Sequence, residues 1–371
     1  MKTFLRFLLI CVNILVPLAL LAATFFPFID PHGFWPAGFA GLTFPVFFLL
    51  NLLLLPLWII LRKKYWLLPV LALLFSADAV LRTWAIHPFR ENKMDKTYGS
   101  KEFTVMTYNT SNMGLLYYKD VKPVRSNVYN TVVYAQADIL CLQEFYTNDW
   151  KEQSNNIDSI RMKAGYEHYY FTNDKTHWDT WHYGIALFSH HPILNATTIP
   201  CGYSSNGSGS SFLQADLLVN QDTIRVITVQ LASYMFTRAE FREMYNFKQG
   251  MVEHKEDIKN LARKMKMTFT RRSDQARQLR ALITASPYPL IVCGDFNDTP
   301  VSYTYQTVAA PLQDAFLRCG SGWGRTMSYM SPSLRIDYIL PSKQFEIEAC
   351  DAIRVADSEH FPVIARLLLK K

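Results

Sequence analysis

The chain has 371 residues, 50% of them hydrophobic, with 38 Lys and Arg against 31 Asp and Glu and a formal net charge of +7, a length that excludes a single small module and suits one large domain with an accessory segment. The first 90 residues hold seven basic and two acidic side chains, so Glu91 onward carries 31 against 29, and this near-neutral remainder lacks the compositional signature of a nucleic-acid binder. Six scattered cysteines without CxxC spacing give neither a zinc site nor a disulfide framework, and leave pairing among Cys201, Cys319 and Cys350 open.

The front of the chain is apolar. No charged residue occurs from Phe7 to Ile29 or from Pro31 to Leu61, and each run exceeds the roughly 20 residues of helix that cross a hydrocarbon core. A third run, Trp66 to about Ile86, contains Asp78 and Arg82, four apart on one helical face and able to neutralise each other. Ala22 and Ala23 would suit a cleaved signal peptide, but removing the first run leaves a second in the bilayer. Lys2 and Arg6 before the first run, and Arg62, Lys63 and Lys64 after the second, mark both flanks as cytoplasmic. The reading favoured is that the third run also spans and the rest of the chain is extracytoplasmic, with Arg90, Lys93 and Lys96 on that flank as the main argument against; if the run only lies on the surface, the rest of the chain is cytoplasmic. The expectation is a multi-pass membrane anchor over residues 1–90, with two to three spans and the bilayer as partner, then a polar linker over 91–100.

From residue 101 to 371 the pattern is α/β. Phe103 to Tyr108 is β-rich and ends at Asn109; Val121 to Gln136 has helical length; Ala137 to Leu142 is apolar and stops at Gln143 and Glu144. Gly184 to Ser189 reads as a buried strand, and Phe212 to Val219 with Thr223 to Val229 as a hairpin around Asn220, Gln221 and Asp222. Thr176 to Tyr183, with two Trp and two His, and the Gly/Ser-rich stretch Gly202 to Ser211 read as loops. Arg238 to Ala285 has apolar residues at helical spacing and predicts one or two amphipathic helices. Leu290 to Cys293 is a core strand running straight into Gly294, Asp295, Phe296 and Asn297; Ile336 to Leu340 and Val363 to Leu369 complete the strands.

Polar residues recur where these strands end: Asn109, Glu144, Asp295 with Asn297, Asp337, and Glu359 with His360. Each taken singly is as readily a turn former. Together they suit a hydrolytic site. A hard cation such as Mg²⁺ or Mn²⁺ needs few carboxylates when phosphate oxygens and water complete its shell, and Glu144 is the principal ligand expected. Asp295 is placed to take a proton from water, Asn297 and Asn109 to orient water and phosphate oxygens, and His360, oriented by Asp337, to face the phosphoryl oxygens.

Six segments carry a resemblance: MTYNT (Met106 to Thr110), DILCLQE (Asp138 to Glu144), GIALFSHHPI (Gly184 to Ile193), GDFNDTP (Gly294 to Pro300), RIDYIL (Arg335 to Leu340) and SEHFPV (Ser358 to Val363). In this order they resemble the endonuclease/exonuclease/phosphatase superfamily, and the layout resembles its membrane-anchored bacterial members. The resemblance implies a four-layer sandwich, two mixed β-sheets face to face with helices outside, and a divalent-metal phosphoesterase site at one sheet edge. Carried over by position, Asn109, Glu144, Asp295, Asn297, Asp337 and His360 match, with Asn109 also a candidate metal contact. Two positions depart. Gln230 stands where many relatives have a His that assists the leaving group, and Glu359 stands where the family has Asp, as a candidate metal contact with longer reach. The reading is a membrane-anchored metal-dependent phosphoesterase acting on nucleic acid, a phospholipid headgroup or a soluble phosphate ester. Its alternative is a catalytically weakened domain that binds a phosphorylated ligand or protein partner; the sequence itself points to no protein partner.

Overall fold

The computed structural model describes residues 2–61, 63–87, 99, 101–117, 123–150, 154–202, 208–234, 255–329, 331 and 333–370. Nearly all of the predicted linker, residues 203–207 of the Gly/Ser-rich stretch and the 238–254 part of the predicted amphipathic segment lie outside them.

Helices α1 (Lys2–Phe25) and α2 (Ala40–Ile60) come from the two uncharged runs and are long and apolar enough to cross a membrane. The third run is broken. Helix α3 (Leu67–Phe75) and helix α4 (Ala77–Thr83) meet at a 54° bend, a third span only if the bent pair counts as one. Arg82 and Asp78 do pair across one turn. Asn51 Nδ2 donates to the Val16 carbonyl at 3.3 Å and Phe44 joins Leu20 and Ala23, so α2 returns antiparallel to α1. Asn13 bonds the Tyr65 carbonyl and Thr24 bonds Ser76, pairs offset by the same 52 residues, so α3 runs parallel to α1.

Strands β1 (Glu102–Asn109), β2 (Ile139–Asn148), β3 (His168–Phe171), β4 (Lys175–His177), β5 (Trp181–Ser189), β11 (Phe345–Ala352) and β12 (Val363–Leu369) form a seven-stranded sheet, ordered β11-β12-β1-β2-β5-β3 with β4 on β5. A second sheet, ordered β10-β9-β8-β7-β6, contains β6 (Ile193–Pro200), β7 (Ser211–Val219), β8 (Asp222–Gln230), β9 (Leu290–Asp295) and β10 (Asp337–Pro341). Each sheet is mixed, with one parallel pair among the described strands, β1 with β2 and β8 with β9.

Alternation explains the layering. Phe103, Val105, Ile139, Cys141, Ile224, Val226, Ile291 and Cys293 meet in one core between the sheets. Their odd-numbered or even-numbered neighbours face outward. Met106, Tyr108, Leu140 and Leu142 pack under helices α5 (Val124–Ala135) and α6 (Asn156–Ala164). Ile227, Val229, Leu290 and Val292 pack under α7 (Lys255–Thr284) and α8 (Tyr303–Ala309). Two mixed sheets flanked by helices therefore form the α/β sandwich expected, with a further short helix α9 (Ala315–Cys319) at one end.

Three local readings change. The Thr176–Tyr183 stretch is a hairpin between β4 and β5, because Trp178 and Asp179 take left-handed conformations with φ of 49° and 61° and, with Thr180, reverse the chain between the paired His177 and Trp181. The run ending at Leu142 continues as strand to Asn148. Strands β3, β6 and β11 add edge pairings that lack a strong apolar run and escaped the sequence pattern. The predicted amphipathic segment is one helix over its described part. Cys201, Cys319 and Cys350 are free thiols, so the pairing left open is not made.

Candidate active site

The inner-face rows turn polar at one edge of the sandwich. In β1 the row Phe103, Val105, Thr107 ends at Asn109; in β8 the row Ile224, Val226, Thr228 ends at Gln230; in β9 Ile291 and Cys293 lead to Asp295. These are the C-terminal ends of both parallel pairs, where α/β sheets leave room for a ligand. Strand β10 runs antiparallel to β9 and begins at the same edge, so its first residue, Asp337, faces Asp295 across the ladder. Beneath the site, Gln143 Nε2 reaches Thr107 Oγ1 at 3.0 Å and Thr228 Oγ1 at 2.9 Å, tying the two sheets together.

Glu144 is not at a strand end, as the sequence reading had it, but at a bulge inside β2. The β2–β5 register shifts between Leu142 and Phe145, and Glu144 has φ of 45°. The extra residue keeps Phe145 on the outer face with Leu142 and sets Glu144 apart at the rim. Thr110 Oγ1 donates to the Glu144 carbonyl at 2.8 Å and holds the bulge. Gly294 allows a comparable close approach in the other sheet: with φ of 138°, a Cβ there would lie 1.9 Å from the Val229 carbonyl oxygen.

The carboxylates differ in company. Asp295 accepts from Asn109 Nδ2 at 2.9 Å, from the Asn297 backbone at 2.7 Å and from Asn297 Nδ2 at 3.0 Å. Burial and the facing charge of Asp337 push its carboxyl up to about 7, against the opposing influence of His360 and these donors. His360 Nδ1 lies 3.0 Å from Asp337 Oδ2. Burial by itself would lower the His360 pKa, but Asp337 and Asp295 outweigh it and push it up to about 10, so the imidazole is charged at neutral pH. Side-chain oxygens of Asp295 and Asp337 and a ring nitrogen of His360 lie within 4.8 Å of one another. All three residues are buried, at 1%, 2% and 5% exposure.

Glu144 receives two amides, Gln230 Nε2 at 2.5 Å on Oε1 and Asn112 Nδ2 at 3.2 Å on Oε2. Asn109 Oδ1 accepts the Ser111 N–H at 3.0 Å. Glu359 connects through its neighbour His360 and through its own carbonyl, which accepts from Ser328 N; burial raises its carboxyl and His360 opposes the rise. The structure thus brings together Asn109, Glu144, Gln230, Asp295, Asn297, Asp337 and His360, with Glu359 beside them. Two contributors escaped the sequence reading. Asn112 lies in a left-handed turn after β1, and Tyr329 has its phenol raised by burial and by the charges of Glu144 and Asp295. Neither stands where an apolar strand row turns polar.

A divalent cation fits part of this set. The buried Asp295, Asp337 and His360 cluster has ligand-like spacing, yet its imidazole is already paired to Asp337 and charged, which suits a hydrogen-bonded dyad better than a ligand. Glu144 is half-buried at the rim. A carboxylate has about four lone-pair directions, and the two amides leave Glu144 capacity for a hard cation.

Residues 106–360 match the model of the endonuclease/exonuclease/phosphatase family, and residues 5–83 match one described as a domain of unknown function. Among solved structures, an endonuclease/exonuclease/phosphatase from Beutenbergia cavernae DSM 12333 is 19% identical with a TM-score of 0.50, over 73% of this chain and 72% of that one. A family protein from Leptotrichia buccalis C-1013-b is 13% identical with a TM-score of 0.50, over 71% and 99%. One from Bacteroides thetaiotaomicron is 14% identical with a TM-score of 0.50, over 74% and 100%. At these identities the likeness is one of fold. No curated protein sequence matches the chain.

Proposed function

Because the chain belongs to the endonuclease/exonuclease/phosphatase family, we propose that it is a membrane-anchored, divalent-metal-dependent phosphoesterase, with an anchor over residues 1–90, a linker over 91–100 and a catalytic domain over 101–371. The observation that carries this reading is the pairing of a carboxyl held near 7 with an imidazolium held by its own carboxylate at the same sheet edge. Asp295 is the base: at neutral pH an appreciable fraction is ionised, and Asn109 and Asn297 fix its oxygens while it takes a proton from the attacking water. His360, charged and oriented by Asp337, faces the phosphoryl oxygens as charge builds on them. Glu144, with Asn109 and the longer-reaching Glu359, would hold Mg²⁺ or Mn²⁺, which supplies Lewis-acid stabilisation of the phosphoryl oxygens when bound. Gln230 donates a hydrogen bond and cannot give up a proton at neutral pH, so the leaving oxygen is protonated by water.

A second reading has its own support. The Gln230 amide occupies the Glu144 oxygen at 2.5 Å, which favours a domain that binds a phosphorylated ligand with weakened turnover. Hydrolysis by the full chain in detergent separates the two. The panel is plasmid DNA, RNA, sphingomyelin, phosphoinositides and a chromogenic phosphodiester, each with and without Mg²⁺ or Mn²⁺. Turnover that needs metal and disappears in Asp295→Ala supports the enzyme; metal binding without turnover on any member favours the binding domain.

For location, we place the catalytic domain outside the cytoplasm on a three-span anchor. What supports this is that the domain packs on the connection between α1 and α2, through Asp30 with Ser273 and Arg277, while Lys63 and Lys64 lie at the opposite end of α2. Alkaline phosphatase fused after Lys371 is expected to be active, and a fluorescent cytoplasmic fusion instead would reverse the orientation.

A further inference from the structure

The loops that carry the candidate site are also the loops on which the anchor docks. Val301, six residues after Asp295, is buried among Leu20, Phe44, Ala72 and Ala79 of the anchor helices. Thr299 abuts α2 at Gly41, where a Cβ would stand 1.9 Å from Thr299 Oγ1, so a side chain at that position would push the loop away. On the other flank Arg335, two residues before Asp337, pairs with Asp314 at 2.5 Å and donates to the Arg82 carbonyl at 2.8 Å, at the end of α4. Ala85 bridges to Gly322 and Trp84 packs edge-on to Trp323. A few residues on, Thr326 Oγ1 accepts the Asp337 N–H and Met327 bridges to His360.

These contacts fix a level. Leu20 lies five residues before the end of α1, about 8 Å at helical rise. A rim of the site therefore sits at the outer margin of the apolar helices. Helix α7 follows the connection between α1 and α2: Phe269 packs against Phe39, and Ser273 and Arg277 bond Asp30. Along that connection the helix leaves Lys259, Arg263, Lys266 and Met267 exposed, the residue types that meet anionic headgroups and the acyl boundary. A long duplex would have to approach a rim backed by the membrane. A lipid arrives there already oriented.

We propose that the phosphoester hydrolysed at this site is carried by a lipid of the bilayer that the chain spans, its tails remaining in the leaflet; this rests on the phosphoesterase reading and narrows it. Water oxygen bonds to phosphorus and its proton goes to Asp295, while the bond from phosphorus to one ester oxygen breaks. That oxygen leaves with the electron pair and is protonated by solvent.

The test uses the full chain in liposomes of phosphatidylethanolamine, phosphatidylglycerol and cardiolipin, alongside glycerophosphoethanolamine, glycerophosphoglycerol, bis(4-nitrophenyl) phosphate and plasmid DNA, with Asp295→Ala in parallel. Lipid breakdown is expected to exceed that of the matched soluble esters by about tenfold or more, from co-localisation alone. The Asp30→Arg, Gly38→Leu double variant, which removes the bonds to Ser273 and Arg277 and drives a side chain into Phe269, is expected to lose that advantage while keeping its rate on the chromogenic diester. Soluble esters or plasmid DNA turned over as fast as lipid, or a double variant that slows both classes alike, overturns the proposal. No turnover anywhere, with wild type and Asp295→Ala indistinguishable, instead overturns the phosphoesterase reading beneath it. A readout independent of turnover is a nitroxide on Tyr329→Cys in a thiol-free background: a nickel-chelating lipid should broaden it more than one on Tyr134→Cys, on the helix outside the other sheet, and equal broadening rejects the membrane-facing site.

Discussion

Asp337 stands directly opposite Asp295 in the β9–β10 ladder, and the imidazole of His360 is the cation that lets two buried carboxyls occupy that pair. Like charges facing each other across strands destabilise one another. Burial first, and then this facing charge, hold one carboxyl, Asp295, near 7.

This sets a pH dependence. Asp295 must be ionised to act as base, so kcat/KM is expected to fall tenfold per unit below about 7. Asp295→Asn should lower kcat by roughly 10²-fold or more. It should leave the thermal midpoint equal or higher, since a buried carboxyl facing another is removed. A pH–rate profile and a melt on the same samples check both, and a variant with near-normal turnover rejects the role.

His360 makes a stability prediction of known sign. Its pKa is raised from an unfolded value of 6.5 to about 10, so its contribution is fully present below pH 6.5 and is lost as pH rises through 10. His360→Gln is expected to flatten the melting temperature across that window and to lower it at pH 6, where Asp337 is left buried without its cation. A parallel slope in both proteins contradicts the assignment.

Gln230→His introduces an ionisable group where the amide now bonds Glu144. Turnover should rise by about tenfold or more on esters with poor leaving groups and little on 4-nitrophenyl esters, because only the former need a proton early. Equal effects on both classes point to relief of the Glu144 contact instead.

Metal binding can be read without activity. Saturating Mg²⁺ or Mn²⁺ at about a hundred times Kd stabilises a single-site protein by about 2.7 kcal/mol. That shift in melting temperature is expected in the wild type, to vanish with chelator, and to be largely absent in Glu144→Gln. An unchanged shift in Glu144→Gln moves the cation elsewhere, with the Asp295, Asp337 and His360 cluster as the next place to look.

Sequence by itself determined the layers and most of the site's residue types. Alternation in FTVMTYN, TIRVITVQ and LIVCGD assigns an inner row to each strand, and that row starts apolar and turns polar towards its end, through Thr107 to Asn109, through Thr228 to Gln230, and directly from Cys293 to Asp295. A core row that ends in a polar residue is visible because burial imposes period two on the chain. Two uncharged runs of spanning length were equally plain, since the bilayer demands length and apolarity alone. Tertiary structure decided the rest. The bulge that turns Glu144 to the rim depends on its pairing with β5, and the Asp295–Asp337 pair on β9–β10 register, neither of which is encoded within a single segment. The carboxyl near 7 and the imidazole near 10 arise only when three distant segments are buried together. So does the docking of Thr299 and Val301 against the anchor, because contacts between surfaces hundreds of residues apart leave no local period to read.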